Sequence, residues 1–222
     1  MYELYWSADT GAFAVQAVLE ELGQAYERVV VDTREGRHRE PGYTKLNPMQ
    51  QVPSLRLPDG TVITESAAMV LHLCDAHPER GLLPAPGTTE RAVAYRWLFW
   101  LATGLYETDL RYYYPERYTA DPAGAPAVKQ AAHERLDRLV AMAAELLGAG
   151  PWVLGERFSA VDIYLFMLVL WHPARAAIFE RHPGLGEHAR RLRARPAVDR
   201  IWALNFPAGR SVWSTWTGSS AS

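Results

Sequence analysis

The sequence predicts two successive parts of different class: an α+β domain over residues 1–78 and an all-helical domain over residues 90–222, joined by a linker at 79–89. Three observations carry that division. Strand-like runs alternate with helical patterns only in the early part of the chain. The linker stretch, ERGLLPAPGTT, concentrates proline and glycine. Beyond it the apolar spacing is helical and no convincing strand follows.

Taken in order, residues 2–6 are a short run of aromatics and leucine that reads as a buried strand. Ser7-Ala8-Asp9-Thr10-Gly11 is a turn able to start a helix. Phe13, Val15, Ala17, Val18, Leu19 and Leu22 then recur with helical spacing as far as Gly23, which suits a left-handed helix end. Residues 26–31 are β-branched and form a second strand; strand–helix–strand implies a right-handed parallel crossover. Residues 34–44 are charged and irregular. After the breaker Leu46-Asn47-Pro48, Asp59-Gly60 reads as a hairpin turn between strands at 54–57 and 61–63. Glu65-Ser66 leads into an apolar helix over 67–75.

In the second half, residues 90–113 read as one long aromatic helix, 118–126 as a loop and 127–147 as another helix. Ser159-Ala160-Val161-Asp162 is a variant capping box, with Asp in place of Glu, ahead of an apolar helix over 163–171. Short helices at 188–195 and 197–204 are divided by Pro196.

Composition bounds the function. With 49% hydrophobic and 22% charged residues the chain has a globular balance, and a net charge of -2 with no basic stripe argues against a nucleic-acid partner. A single cysteine, Cys74, forms no internal disulfide, and the seven histidines show no His-x-x-x-His spacing, so no metal is expected. Cys74 reads as a small buried hydrophobe. No secretory signal and no membrane-length apolar run is visible, which points to a cytoplasmic protein without a membrane partner.

Two pairs carry chemistry. A proline between loop and strand, as in Val52-Pro53, is either cis, turning the preceding backbone N–H and C=O outward to pair with an extended peptide, or trans at the start of an edge strand. Glu65-Ser66 lies where a strand gives way to a helix. There, free N–H groups and a serine hydroxyl can hold a carboxylate while Glu65 meets an ammonium group; the plainer reading is helix capping.

Their combination is more specific. A β-α-β-β-α domain with Val52-Pro53 before its first hairpin strand and Glu65-Ser66 after its second resembles the cytosolic glutathione transferases, whose first domain is thioredoxin-like and whose second is a helical bundle. The resemblance covers almost the whole chain. It includes Val18-Leu19-Glu20-Glu21-Leu22-Gly23, Asn47-Pro48-Met49-Gln50-Gln51-Val52-Pro53-Ser54-Leu55, Thr64-Glu65-Ser66-Ala67-Ala68 and Leu154-Gly155-Glu156-Arg157-Phe158-Ser159-Ala160-Val161-Asp162-Ile163. The last segment looks like the family's buried capping box, a folding element. The resemblance implies glutathione as cosubstrate, with Val52 bonded to its cysteinyl backbone, Pro53 cis, and Glu65 and Ser66 at its γ-glutamyl end. Gln51 stands near the glycine carboxylate, where the family often has Lys or Arg, and Gln50 replaces a common glycine. It also implies a homodimer of the bacterial beta, theta or nu type.

Glutathione attacks as a thiolate, and a free thiol has a pKa of about 8.5. Lowering it by two units takes about 2.7 kcal/mol of selective stabilisation, which a hydroxyl or backbone N–H after the first strand can supply in part. The candidate donors are, in order, Thr10, Ser7 and Tyr5. Each has a structural alternative: an N-cap for Thr10, a turn hydroxyl for Ser7 and a core aromatic for Tyr5. Gly11 occupies the apparent position of the beta-type cysteine, which argues against mixed-disulfide chemistry.

The helical domain is expected to hold a small hydrophobic electrophile through Trp97, Trp100, Tyr106, Tyr112, Tyr113 and Tyr114, with Arg111 as a cation among them. Helix–helix packing with snorkelling arginines accounts for the same residues. Trp213 and Trp216 in the tail could cover a cleft or make subunit contacts. The leading function is conjugation of glutathione to small hydrophobic electrophiles in detoxification. The alternatives are glutathione-dependent isomerisation, dehalogenation or ether cleavage, and a non-catalytic glutathione-binding module.

Overall fold

The computed structural model describes residues 1–208, so Trp213 and Trp216 lie outside the described residues. These residues form two compact units: Met1–Leu83 with the described residues from Arg193 onward, and Pro84–Leu192. The first boundary falls inside the stretch expected to be the linker. The second departs from the expectation that everything after residue 90 is one helical domain. The last helix, α10 (Pro196–Asn205), belongs with the first unit, for reasons that lie in Asn205.

The first unit contains β1 (Tyr2–Trp6), α1 (Ala12–Leu22), β2 (Tyr26–Val30), α2 (Pro41–Thr44), β3 (Ser54–Arg56), β4 (Val62–Ile63) and α3 (Ser66–Ala76). The sheet order is β2-β1-β3-β4, with β1 and β2 parallel and the other pairs antiparallel. Leu4, Leu55, Phe13, Val15, Leu19, Leu22, Met69, Val70 and Leu73 are buried together as its core, and Cys74 is buried beside them. α1 is buried without a break from Ala12 to Leu19, because it packs against α3 and α10 as well as against the sheet. Gly23 closes α1 at φ 67, and Gly60 makes the hairpin turn at φ 91, conformations that a side chain would resist. The stretch read as irregular holds a short turn at Arg37–Arg39 and then α2, whose first residue is Pro41.

The second unit contains α4 (Thr89–Trp100), α5 (Glu107–Tyr113), α6 (Ala125–Leu147), α7 (Ala160–Trp171), α8 (Arg175–Arg181) and α9 (Pro183–Arg193). The single helix expected over 90–113 is interrupted by a π-helical segment at Leu101–Tyr106, where the Thr108 hydroxyl donates to the Gly104 carbonyl at 2.6 Å. Side-chain periodicity barely registers such a one-residue widening. Almost every residue of α7 is buried, which is why its sequence is apolar on all sides. No single helix among the described residues is long and apolar enough to cross a membrane.

Candidate functional site

In the first unit, three connections meet the criteria for a peptide-binding surface. The first is the loop into β3. The Val52–Pro53 peptide is cis. The side chain of Val52 is buried, yet among the described residues its N–H and C=O have no hydrogen-bond partner. The preceding carbonyl, that of Gln51, is clamped twice: it accepts from the Tyr43 hydroxyl at 2.6 Å and from Asn47 Nδ2 at 2.8 Å. Asn47 also receives the Met49 N–H at 3.0 Å, and Tyr43 meets Ser54 Oγ at 2.9 Å. The loop is thus fixed from behind while the Val52 peptide groups stay open. The Gln51 side chain is exposed.

The second connection leads from β4 to α3. Glu65 has φ 64 and ψ 105, a sparsely populated region for a residue with a side chain, of the kind found at ligand clamps. The Glu65 side chain makes no capping bond to α3. Ser66, its first residue, is buried while Glu65 is exposed. The carboxylate thus faces water beside a helix N-terminus suited to anions.

The third connection follows β1. The Thr10 hydroxyl donates to the Ser7 carbonyl at 2.7 Å and accepts from the Ala12 N–H at 3.2 Å, so its only proton is engaged within the loop. Ser7 Oγ lies 3.1 Å from Thr33 Oγ1 and accepts the Thr33 N–H at 3.3 Å. The Tyr5 hydroxyl donates to Glu3 at 3.1 Å and accepts from Arg56 at 2.9 Å, in a network on the sheet. By contrast, the N–H of Gly11 has no partner among the described residues.

Asn205 holds this loop in place. Its carbonyl accepts the Asp9 N–H at 3.1 Å, and its Oδ1 accepts the Trp6 indole N–H at 3.0 Å. Its Nδ2 donates to Gln16 at 2.7 Å and to the Ile201 carbonyl at 3.0 Å. Asn205 is fully buried and every polar atom it brings is used, which ties α10 to α1 and to the loop after β1. Arg195 adds a bidentate pair to Glu21 at 2.6 and 2.8 Å. Sequence reading missed Tyr43, Asn47 and Asn205. For Asn47 a signal existed in the Asn-Pro pair; for Asn205, whose partners are distant in sequence, there was none.

In the second unit, Trp97 is buried against Trp100, with ring centroids 5.5 Å apart. Tyr106 packs on Trp171 at 5.3 Å and on Tyr164 at 6.5 Å. The Tyr113 hydroxyl donates to the Trp171 carbonyl. Arg111 pairs with Glu107 at 2.9 Å and lies 4.6 Å over the Tyr118 ring. Tyr114 carries Arg117 on its face at 4.0 Å. Trp97 is thus core, and Arg111 is a paired cation.

His133, Asp137 and His172 bring three potential metal-ligand atoms within 4.8 Å of one another. The test of fit is the tautomer. His172 Nδ1 accepts the Ala174 N–H at 3.1 Å, so a neutral ring carries its proton on Nε2, which faces Asp137 Oδ1 at 3.3 Å. That nitrogen then has no lone pair for an ion.

Residues 12–76 match the family described as "Glutathione S-transferase, N-terminal domain", and residues 108–196 match "Glutathione S-transferase, C-terminal domain". The chain is 30% identical over 200 residues to glutathione S-transferase GstA of Escherichia coli O157:H7, covering 88% of this chain and 94% of that one. Its fold is similar to a glutathione transferase homologue from Sulfitobacter solved with bound glutathione, at a TM-score of 0.86 and 26% identity over 92% of this chain and 98% of the other. It is also similar to a glutathione transferase from Methylococcus capsulatus str. Bath, at 0.80 and 29% over 92% and 98%.

Proposed function

The chain belongs to the cytosolic glutathione transferase family, and from that premise we propose that it conjugates the glutathione thiolate to small hydrophobic electrophiles. Glutathione would bind the first unit and the electrophile the aromatic residues of the second, in a cytoplasmic homodimer serving detoxification. The observation that carries the reading is the Val52 backbone: two peptide groups without partners among the described residues, presented by a loop whose Gln51 carbonyl is held by Tyr43 and Asn47. An extended cysteinyl residue satisfies both groups. Ser66 and the open N-terminus of α3 take the γ-glutamyl carboxylate, and Glu65 takes its ammonium. Gln51 donates a neutral hydrogen bond to the glycine end. The N–H of Gly11 reaches the sulfur without rearrangement, whereas Thr10 must first release the Ser7 carbonyl.

The test is calorimetric titration of the full chain with glutathione, followed by pH titration of the thiolate ultraviolet band and turnover of an aryl halide. Uptake of the tripeptide, a thiolate midpoint below the free value of about 8.5 and measurable turnover are expected. Ser66→Ala should weaken glutathione about tenfold, the worth of one charge-assisted bond. No uptake by folded protein overturns the proposal; uptake without a thiolate band leaves a binding module in place of an enzyme.

A further inference from the structure

Asn205 is fully buried at the end of α10, and an amide so placed is costly unless its polar atoms are bonded. What it holds supplies the reason for it. Its carbonyl takes the Asp9 N–H at 3.1 Å, and its side chain is itself held by the Trp6 indole at the end of β1 and by Gln16 in α1. The next residue, Phe206, packs its ring on Phe13 in the first turn of α1 at 5.3 Å and on Trp202 at 4.4 Å. A buried polar network whose members are all satisfied rigidifies its surroundings. Asp9 is the residue so fixed. It has φ 55, a conformation that a residue with a side chain keeps only where its surroundings enforce it. The N–H groups of the two residues that follow, Thr10 and Gly11, have no partner among the described residues. The next two are used: Ala12 donates to Thr10 Oγ1 at 3.2 Å and Phe13 to the Thr10 carbonyl at 3.1 Å. The turn therefore ends in one adjacent pair of open donors.

We propose that Asn205 is a positioning residue for the thiolate: by taking the Asp9 N–H it holds the turn in which the Thr10 and Gly11 N–H groups stand side by side to meet the sulfur of bound glutathione. Adjacent backbone donors form a concave anion site, and hydrogen bonds to the charged form favour the thiolate over the thiol. Such bonds weaken steeply as they bend, so a small rotation at Asp9 misdirects both donors together. No proton passes through Asn205; it acts through the backbone of Asp9 alone. The charged groups around the network are already paired: Asp9 with Arg34 at 3.0 Å, Glu20 with Arg200 at 2.9 Å and Glu21 with Arg195 at 2.6 Å. Arg28 lies 4.7 Å over the Trp6 ring, and the Tyr26 hydroxyl lies between Gln16 and Glu20. Glu65 is exposed at the head of α3. Variants that keep all these charges isolate the geometry. The inference rests on the reading that glutathione binds the first unit, and it names what sets the reactivity of the sulfur there.

The experiment compares Asn205→Ala, Trp6→Phe and Val198→Ala in the full chain. Trp6→Phe keeps a ring but removes the indole donor to Asn205. Val198→Ala loosens α10 at a buried apolar residue outside the network. Hydrogen exchange of the amides of residues 7–13, without glutathione, reads the turn. The thiolate ultraviolet band of the glutathione complex, titrated with pH, reads the chemistry. In Asn205→Ala the exchange should quicken about tenfold, and the thiolate midpoint should rise by about one unit toward the free value. Aryl-halide turnover should fall about fivefold near pH 6.5 and recover by about pH 9, where the thiol is ionised in either protein. Glutathione affinity by calorimetry should stay within about twofold. Trp6→Phe should move both readouts in the same direction by less, and it decides the matter if Asn205→Ala does not fold; Val198→Ala should move neither. An unchanged midpoint or unchanged exchange in the network variants, or an equal shift in Val198→Ala, overturns the inference. Glutathione uptake with an ordinary thiol midpoint in the unmodified chain also overturns it while leaving the binding reading in place. Absence of uptake instead removes the functional reading and the thiolate with it, while the exchange comparison still shows whether Asn205 holds the turn.

Discussion

Asp162 and Asp109 are both sealed inside the helical unit, at 0% and 1% exposure, and both are the third residue of their helix. Their surroundings are opposite. Asp162 Oδ1 accepts the Val153 N–H at 2.7 Å and lies 3.0 Å from His188 Nε2, while its Oδ2 accepts the Ser159 N–H and O–H, both at 2.8 Å. Asp109 accepts from none of the described residues. The cause is the helix end. α7 begins after an extended Ser159, and in that capping box the N-cap residue turns its own N–H and hydroxyl onto the Asp162 carboxyl. α5 continues directly from the π-helical segment, and the residue before it, Tyr106, is already helical. Its N-terminus has few donors to offer. Helical position and burial being equal, the presence of a free helix end decides whether a buried acid organises its neighbours or stands alone.

The comparison can be broken most sharply at Asp162. Replacing it with alanine strands the Ser159 and Val153 donors and the His188 ring in a closed core, which should cost about 3–5 kcal/mol of unfolding free energy. Urea denaturation monitored by far-ultraviolet circular dichroism measures it. A loss under about 1 kcal/mol would mean that the four partners contribute little, and the contrast with Asp109 would lose its energetic meaning.

His172 extends the comparison to a buried base. Burial first, then the neighbouring His133 and Arg181, push its pKa down to about 4, against the opposing pull of Asp137. The folded protein therefore keeps the ring neutral while the unfolded chain protonates it below about 6.5. Protons favour the unfolded state in that interval, so the stability is complete above about pH 6.5 and is lost as pH falls toward 4. Across that window the unmodified chain should lose up to about 3 kcal/mol more than His172→Gln. Parallel denaturation midpoints at pH 7 and pH 4.5 would show this; equal acid losses would place the titrating group elsewhere.

What could be read from the sequence follows the same logic of local ends. Gly23, Asp59-Gly60, Val52-Pro53, Glu65-Ser66 and the Ser159–Asp162 box are signals spelled within a few residues, and each marks a real boundary or turn in the structure. The crossover rule accounts for the parallel β1–β2 pair and the turn for the β3–β4 hairpin, whereas the antiparallel β1–β3 pairing that joins them has no local signal. The residues that hold the candidate site were not legible, because their partners are remote. Asn205 meets Trp6 and Asp9 across nearly the whole chain, and Tyr43 reaches the Gln51 carbonyl from a stretch that reads as irregular. The π segment escaped because a helix with one wide turn keeps nearly the same spacing of apolar residues. Asp109 escaped because an acid at a helical position reads as solvent-facing until the packing is known. Thr10 shows the converse: the sequence ranks it first as thiolate donor, yet the Ser7 carbonyl and the Ala12 N–H already engage its hydroxyl, which no local pattern reveals.

The smallest expected effect is at Asp109 and has the opposite sign. Its pKa is raised well above the ordinary carboxyl value by burial. The folded state holds a proton that the unfolded chain releases above about pH 4, so stability should fall as pH rises from that point, the reverse of the His172 window. Asp109→Asn cannot ionise and should remove that decline. Asp109→Leu also removes the unsatisfied group and should raise the unfolding free energy at pH 7 by about 1–3 kcal/mol, since replacing an orphaned buried polar group with an apolar one is neutral or favourable. The difference between Asp109→Asn and the unmodified chain should shrink toward zero near pH 4 and widen toward pH 8, and that of Asp109→Leu should narrow toward pH 4 to the part that comes from removing the unsatisfied group. Destabilisation by leucine at neutral pH, with no pH dependence in the difference, would show that Asp109 has partners after all, and its contrast with Asp162 would then reduce to a difference in which atoms supply the donors.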